Sequence, residues 1–358
     1  MQIPSLSRRT LAVVVVGAVL VLLAAGLALT RVLGAPGTDL ERAVRLAPAD
    51  TERYSWTDWA GVRRELDLPA SPDSLDALVD RGFETDLTST SGLVESSSFL
   101  AEQLAWSPAT ISWELLAQSE TGVVDIVGLG DVDTEPITDR LAALGFQRPE
   151  EDDGVWVGGA EVLAQATSRA GGSATPVLSH VVVDADRGLL LASDNQVFLG
   201  QAAEQAQDLH DPDSAGVLEA VEALAQQPLS AAVYTGRQAC ASLSMGQADP
   251  TDQDAADELV RQAGELDPVA GFAMGVQPGL GVEVALAFET EDQARTNADT
   301  RATLASGPAP GQGGAFSDRF ALESAVADGR TLVLTLVPEP GTYVLSDLST
   351  GPVLFASC

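Results

Sequence analysis

The chain contains no lysine; all 19 of its basic residues are arginine. A Walker-type phosphate loop needs Lys beside its Ser or Thr, so none exists here. A Lys Schiff base to pyridoxal phosphate and the Ser-x-x-Lys nucleophile pair are excluded for the same reason. Arginine in place of lysine is also what a G+C-rich genome produces, and in that case it carries no functional content. Histidine and cysteine are nearly as scarce, limited to His180, His210, Cys240 and Cys358. A structural zinc site takes about four Cys/His ligands at close spacing, and these four residues do not make such a motif. Basic charge is short overall. From residue 32 onward 16 Arg stand against 52 acidic residues, a net charge of −36, and the first acid is Asp39. A surface that negative repels phosphate backbones and anionic headgroups, so nucleic acid is not an expected partner. Solubility of an exported domain is the bland reading of the same acids.

One long apolar run is present. Leu11 to Thr30 is twenty residues without a charge, preceded by Arg8 and Arg9 and followed by Arg31. As a helix it would be about 30 Å long, the thickness of the hydrocarbon core. The positive-inside rule then predicts a cytoplasmic tail (1–10), a membrane anchor (11–30), a linker (31–50) and an extracytoplasmic bulk. A cleaved export signal is the competing reading, and Ser7-Arg8-Arg9-Thr10-Leu11 looks like a twin-arginine signal. The run exceeds the usual signal core of about 7–15 residues, and no Ala-x-Ala ends it. No Cys lies near its end, so a bacterial lipoprotein is ruled out. Export gives the cysteines a role, because Cys240 and Cys358 can pair in an oxidising compartment. The alternative is two free buried thiols.

With 45% apolar residues the remainder is rich enough for a sizeable core. Trp59, Val62 and Leu66 recur at helical spacing, and Ser71-Pro72-Asp73 opens a second helix. A third helix is predicted over 93–105. A strand-turn-strand-helix order then occurs three times, with strands near 111–117 and 122–129, 181–183 and 189–192, and 272–276 and 282–288. Ser193-x-x-Gln196 and Thr290-x-x-Gln293 read as capping boxes for the second and third helices. Further strands follow near 155–157, 229–234 and 331–337. The chain therefore reads as α+β, with antiparallel sheets covered on one face by helices. His210-Asp211-Pro212-Asp213 is the expected seam between an extracytoplasmic lobe at 51–209 and another at 210–358.

Thr57-Asp58-Trp59 before a helix, Pro308-Ala309-Pro310-Gly311-Gln312-Gly313-Gly314 and Phe316-Ser317-Asp318-Arg319-Phe320 form a recognisable set. With the anchor and the all-arginine composition, they resemble uncharacterised membrane-anchored exported proteins of actinobacteria over most of residues 40–358. The resemblance implies localisation and no activity.

Candidate chemistry is sparse, and no cofactor motif appears. Asp249, Asp252, Asp254, Asp257 and Glu258 form an oxygen-rich run, but it lacks the Gly and Glu of an EF-hand loop. Acids also suit a helix N-terminus, for this run and for Asp131, Asp133 and Glu135. Tyr54, Trp56 and Trp59 are either a binding patch or core, and tryptophan is usually buried. Trp106, Trp113 and Trp156 read as core for the same reason. No Gly-x-Ser-x-Gly elbow accompanies His180 or His210. With 52 acids no catalytic carboxylate pair can be singled out. The expectation is a non-enzymatic anchored module for binding, sensing or envelope scaffolding, held by the membrane and an envelope protein partner. A carrier of a lipid or other apolar ligand and a carboxylate-based envelope hydrolase are the alternatives.

Overall fold

The computed structural model describes residues 37–151, 153–170 and 172–358. The expected anchor at 11–30 lies outside them. Among the described residues no helix is long and apolar enough to cross a membrane.

The first half runs α1 (Asp39–Leu46), β1 (Arg53–Thr57), α2 (Trp59–Glu65), α3 (Leu75–Glu84), α4 (Ser97–Leu104), β2 (Trp113–Gln118), β3 (Val123–Gly128) and α5 (Thr134–Leu144). It continues through β4 (Val155–Val157), α6 (Gly159–Ala170), β5 (His180–Asp184), β6 (Leu189–Ser193) and α7 (Gln196–Gln205). The second half runs α8 (Ala215–Glu222), β7 (Ser230–Thr235), α9 (Gly236–Ser242), α10 (Pro250–Ala263), β8 (Gly271–Val276) and β9 (Val282–Ala287). It ends with α11 (Glu291–Ala305), β10 (Phe320–Asp328), β11 (Thr331–Pro338) and α12 (Val344–Thr350).

The fold is α+β, built on one antiparallel sheet of eleven strands in the order β10-β11-β9-β8-β7-β1-β2-β3-β6-β5-β4. The sheet is single where several were expected, because β1 pairs with β7 (Ser55 opposite Ala232) and joins the halves. The His210–Asp213 stretch runs between those halves along the sequence. Helices cover both faces of the sheet, not one. Helices α2–α6 and α9–α12 pack on one face, and α1, α7 and α8 on the other. The central strands require this cover, since every residue of β6, β7 and β8 is buried. Toward the β10 edge the second face opens, leaving Val326 and Val337 exposed.

Residues 39–46, inside the expected linker, form α1, whose Leu40, Ala43 and Val44 are buried against the second face. Asp58 caps α2 by accepting from Gly61 N–H. Thr290 and Gln293 form the expected capping box. Ser193 does not: Asn195 caps α7 by accepting from Val197 and Phe198 N–H, while the Ser193 hydroxyl donates to the Val123 carbonyl. The nearer Asx side chain wins because it reaches two open N–H groups at once.

The strand-turn-strand-helix unit occurs four times, the fourth being β10-β11-α12, and the four are organised as a twofold duplication. Hairpin β2–β3 and hairpin β8–β9 have strands of equal length and pair end to end, Trp113 with Gly128 and Gly271 with Ala287. The next neighbours are β6 and β11, which begin their pairing opposite Gly128 and Ala287 through Leu189 and Thr331. Helices α1 and α8 precede the two central strands in the same way. A Cβ on Gly271 would overlap the Gly216 carbonyl, so a side-chain-free pair lets α8 sit directly on β8.

Cys240 in α9 is bonded to Cys358, with 5.7 Å between their Cα atoms and a sequence separation of 118. Beside the bridge, buried Arg301 of α11 donates to the Phe355 and Ser357 carbonyls and holds the last turn of chain. In the chain-entropy description a loop of this size is worth about 4–5 kcal/mol. Replacing both cysteines by serine is expected to lower stability by up to about that amount, seen as an earlier urea midpoint; an unchanged midpoint would show the bridge to be dispensable.

Candidate functional site

Two carboxylates lie buried together on the sheet face beneath α2–α6. Glu114 on β2 and Asp125 on β3 are both almost wholly removed from water. The register sets Glu114 opposite Val127 and Asp125 opposite Leu116, which makes the two acids diagonal neighbours on one face.

Their surroundings differ. Glu114 accepts from the Trp59 indole at 3.0 Å, the Ser91 hydroxyl at 2.7 Å, and the Gly92 and Leu93 N–H groups at 2.6 and 3.2 Å. Neither oxygen of Asp125 has a partner. A Cβ on Gly92 would stand 3.6 Å from Glu114 Oε1 and from Asp125 Oδ2, so this backbone roofs both acids. Burial pushes the Glu114 carboxyl up to about 7 against the pull of its hydrogen bonds. Burial, and then the neighbouring Glu114 charge, hold Asp125 well above the usual carboxylate range.

The roof is tied to the middle of the sheet by hydroxyls. Thr90 Oγ1 donates to the Trp56 carbonyl at 2.7 Å and lies 2.6 Å from Ser230 Oγ and 3.2 Å from Thr57 Oγ1. Thr57 and Ser230 are themselves partners across the β1–β7 pair.

Above the roof is a cleft of about 510 Å³ between residues 83–96, residues 173–176 and the start of α12. Asp86 clamps one wall by accepting from the Ser346 N–H at 3.1 Å and from the Ser346 hydroxyl. Burial raises its carboxyl against those bonds. The Thr175 N–H donates to Ser96 Oγ at 2.8 Å and fixes another wall. Phe83 and Tyr343 stand at the rim with ring centres 5.9 Å apart. They are 67% and 37% exposed, while the large aromatic side chains of the core are sealed from water.

The duplication supplies an internal control. Matched by strand ends, Glu114 corresponds to Phe272 and Asp125 to Val284, both buried in the core on the same face. The architecture accepts apolar side chains at both positions, so the two acids are a property of the first half and not a demand of the fold.

The residues singled out from sequence fall elsewhere, with one exception. Tyr54, Trp56 and Trp59 are core, and Trp59 reaches the site through its bond to Glu114. Trp106, Trp113 and Trp156 are core as well. Asp249 caps α10 and Asp133 caps α5. Among the described residues no group of three or more His, Cys, Asp or Glu is arranged to hold a metal ion. His180 starts β5 with Nδ1 unpartnered, and burial lowers its pKa. His210 sits in the linking segment, where its N–H donates to the Arg45 carbonyl. Glu114 and Asp125 escaped notice among many acids. A usable signal existed, since Asp125 interrupts the apolar run Val123-Val124-Asp125-Ile126-Val127 of a strand buried along nearly its whole length.

A raised carboxyl pKa means that the folded state keeps a proton the unfolded chain has released. The stability each acid contributes is therefore greatest below about pH 4 and declines as pH rises, for Glu114 up to about 7 and for Asp125 beyond its usual range. Asp125→Asn removes one such group. Its stability relative to wild type is expected to grow as pH rises above about 4, by up to about 1.4 kcal/mol per pH unit, in paired urea titrations. Parallel pH profiles would refute the protonated aspartate. No protein family, curated protein or solved structure matches this chain.

Proposed function

We propose that the protein is a non-enzymatic, single-pass membrane-anchored module that presents residues 39–358 outside the cytoplasm and binds a ligand or envelope partner in the cleft above Glu114 and Asp125. The observation that carries the binding reading is the roofed acid pair under an open cleft. A second-half equivalent filled by Phe272 and Val284 shows that acids are not needed there for packing, and a buried unpaired carboxyl such as Asp125 costs stability. Groups that cost stability and sit under a concavity mark a functional site.

Hydrolysis is disfavoured by the same geometry. A catalytic pair has to reach the scissile bond from both sides, but the Ser91–Leu93 backbone separates both acids from the cleft and uses Glu114 as its own anchor. An apolar carrier is disfavoured because the sheet–helix interfaces are filled by side chains such as Trp59, Phe99, Phe272 and Phe288. Export is supported by the Cys240–Cys358 bridge, which persists in oxidising compartments, and by the Leu11–Thr30 run with its preceding arginines.

A C-terminally tagged full chain is expected to sediment with membranes and to lose its tag when protease is added to intact cells. A tag protected in intact cells and cut only after lysis would overturn the orientation.

A further inference from the structure

We propose that the cleft between residues 83–96, residues 173–176 and the start of α12 binds an uncharged saccharide. The proposal names the ligand class of the site described above and rests on the binding reading.

The lining selects by elimination first. No arginine lines the cleft, and the chain has no lysine, so phosphate, sulfate and carboxylate ligands find no counter-charge. Two acids do line it, but Asp86 spends both oxygens on Ser346, which leaves Glu95 as the single exposed carboxylate. One carboxylate at the wall of a wide cleft is a weak trap for a cation.

What remains is hydroxyl chemistry beside an aromatic face. Thr88, Ser89, Ser91, Ser96, Ser173 and Thr175 all line the cleft. Ser91 is spent on Glu114 and on the Leu93 and Val94 N–H groups, and buried Ser96 accepts from Thr175, so it is Ser89, Ser173 and Thr175, exposed or half-buried, whose hydroxyls can both donate to and accept from the mixed edge of a sugar ring. Phe83 and Tyr343 are adjacent, tilted by 41° and exposed, and they flank the opening. Large aromatic side chains left in water at a cleft mouth are unusual for a chain whose tryptophans are sealed in the core. Their apolar faces suit the C–H face of a pyranose, while the Tyr343 hydroxyl remains available to hydrogen-bond. The cleft volume of about 510 Å³ lies in the range of small-ligand sites.

The acid pair completes the arrangement from below. Glu114 holds Ser91, Gly92 and Leu93 in place, so the cleft floor is fixed before any ligand arrives. A floor held by three hydrogen bonds keeps the surrounding hydroxyls in a pre-set arrangement, as recognition of a stiff polar ring demands.

The test uses purified full-length protein in detergent with cellotetraose, maltotetraose and the tetramer of N-acetylglucosamine as probes, followed by saturation-transfer NMR and calorimetry. At least one probe is expected to bind. The double variant Phe83→Ala/Tyr343→Ala is expected to bind it at least about tenfold more weakly with an unchanged melting temperature, since both rings are on the surface. Ser173→Ala serves as a second, milder variant on the opposite wall and is expected to weaken binding without loss of fold. If none of the three binds, or if binding survives the aromatic double variant at full strength, the saccharide assignment is overturned. Binding of a basic peptide in place of the sugars, abolished by Glu95→Gln, would overturn it in favour of a cationic partner and leave the binding-module reading standing. A crosslinked envelope protein mapped to another face, with an empty cleft, would sink both.

Discussion

The antiparallel pairing of β1 with β7 is the constraint on which the rest of the molecule hangs. It fuses two half-sheets into one of eleven strands and removes two edges that would otherwise be exposed for wrong pairing. It also fixes the centre of the duplication, since helices, hairpins and outer strands follow outward from these two strands in the same order. The cleft depends on it directly. The Thr90 hydroxyl that anchors the roof is held between Thr57 of β1 and Ser230 of β7, so sliding one strand past the other would dismantle the roof along with the sheet.

Against this shared frame the halves have diverged by burying charge in different places. The first half buries Glu114 and Asp125 where the second has Phe272 and Val284. The second buries Arg301, which stands where the first has the half-buried Leu144 when α5 and α11 are matched from their caps. Arg301 is fully satisfied, by Asn297, by the Asp267 carbonyl and by two carbonyls of the C-terminal turn. Its role is legible as a clamp beside the Cys240–Cys358 bridge. Asp125 is the opposite case, a buried acid with no partner. A satisfied buried charge explains itself by the structure it holds, whereas an unsatisfied one calls for another account.

Much of the fold was legible in the sequence because its signals are local. Alternation in Val282–Ala287, the Thr290 capping box and Gly145 after α5 each specify an element within a few residues. The bridge was legible as a pairing of the only two cysteines. Three features were not. Helix α1 hid inside a stretch marked by Gly and Pro at its flanks, because its four buried residues find their partners on α8 and β2, far along the chain. The union of the two lobes into one sheet depends on β1 meeting β7, a contact that neither strand announces. The four hairpin units looked like three because β10 is an irregular edge strand with a register shift between Leu322 and Ser324, which blurs its alternation.

The candidate site was illegible for a related reason: an acid's meaning depends on how many donors surround it. Glu114 and Asp125 are alike in burial and differ in partners, and that difference divides their roles. Four donors favour the anion at Glu114, while the absence of any donor favours the neutral acid at Asp125. The proton therefore resides first on Asp125, and ionising Glu114 beside it raises the cost of removing that proton further. Glu114, which burial holds in its protonated form up to about pH 7, orders the Ser91–Leu93 backbone through the bonds it accepts, and its neighbour Asp125 is held neutral well above the usual carboxylate range. On a chain of net charge −33, a floor that confines its charge to a group already bonded to the backbone leaves the cleft above governed by hydroxyls and aromatic faces.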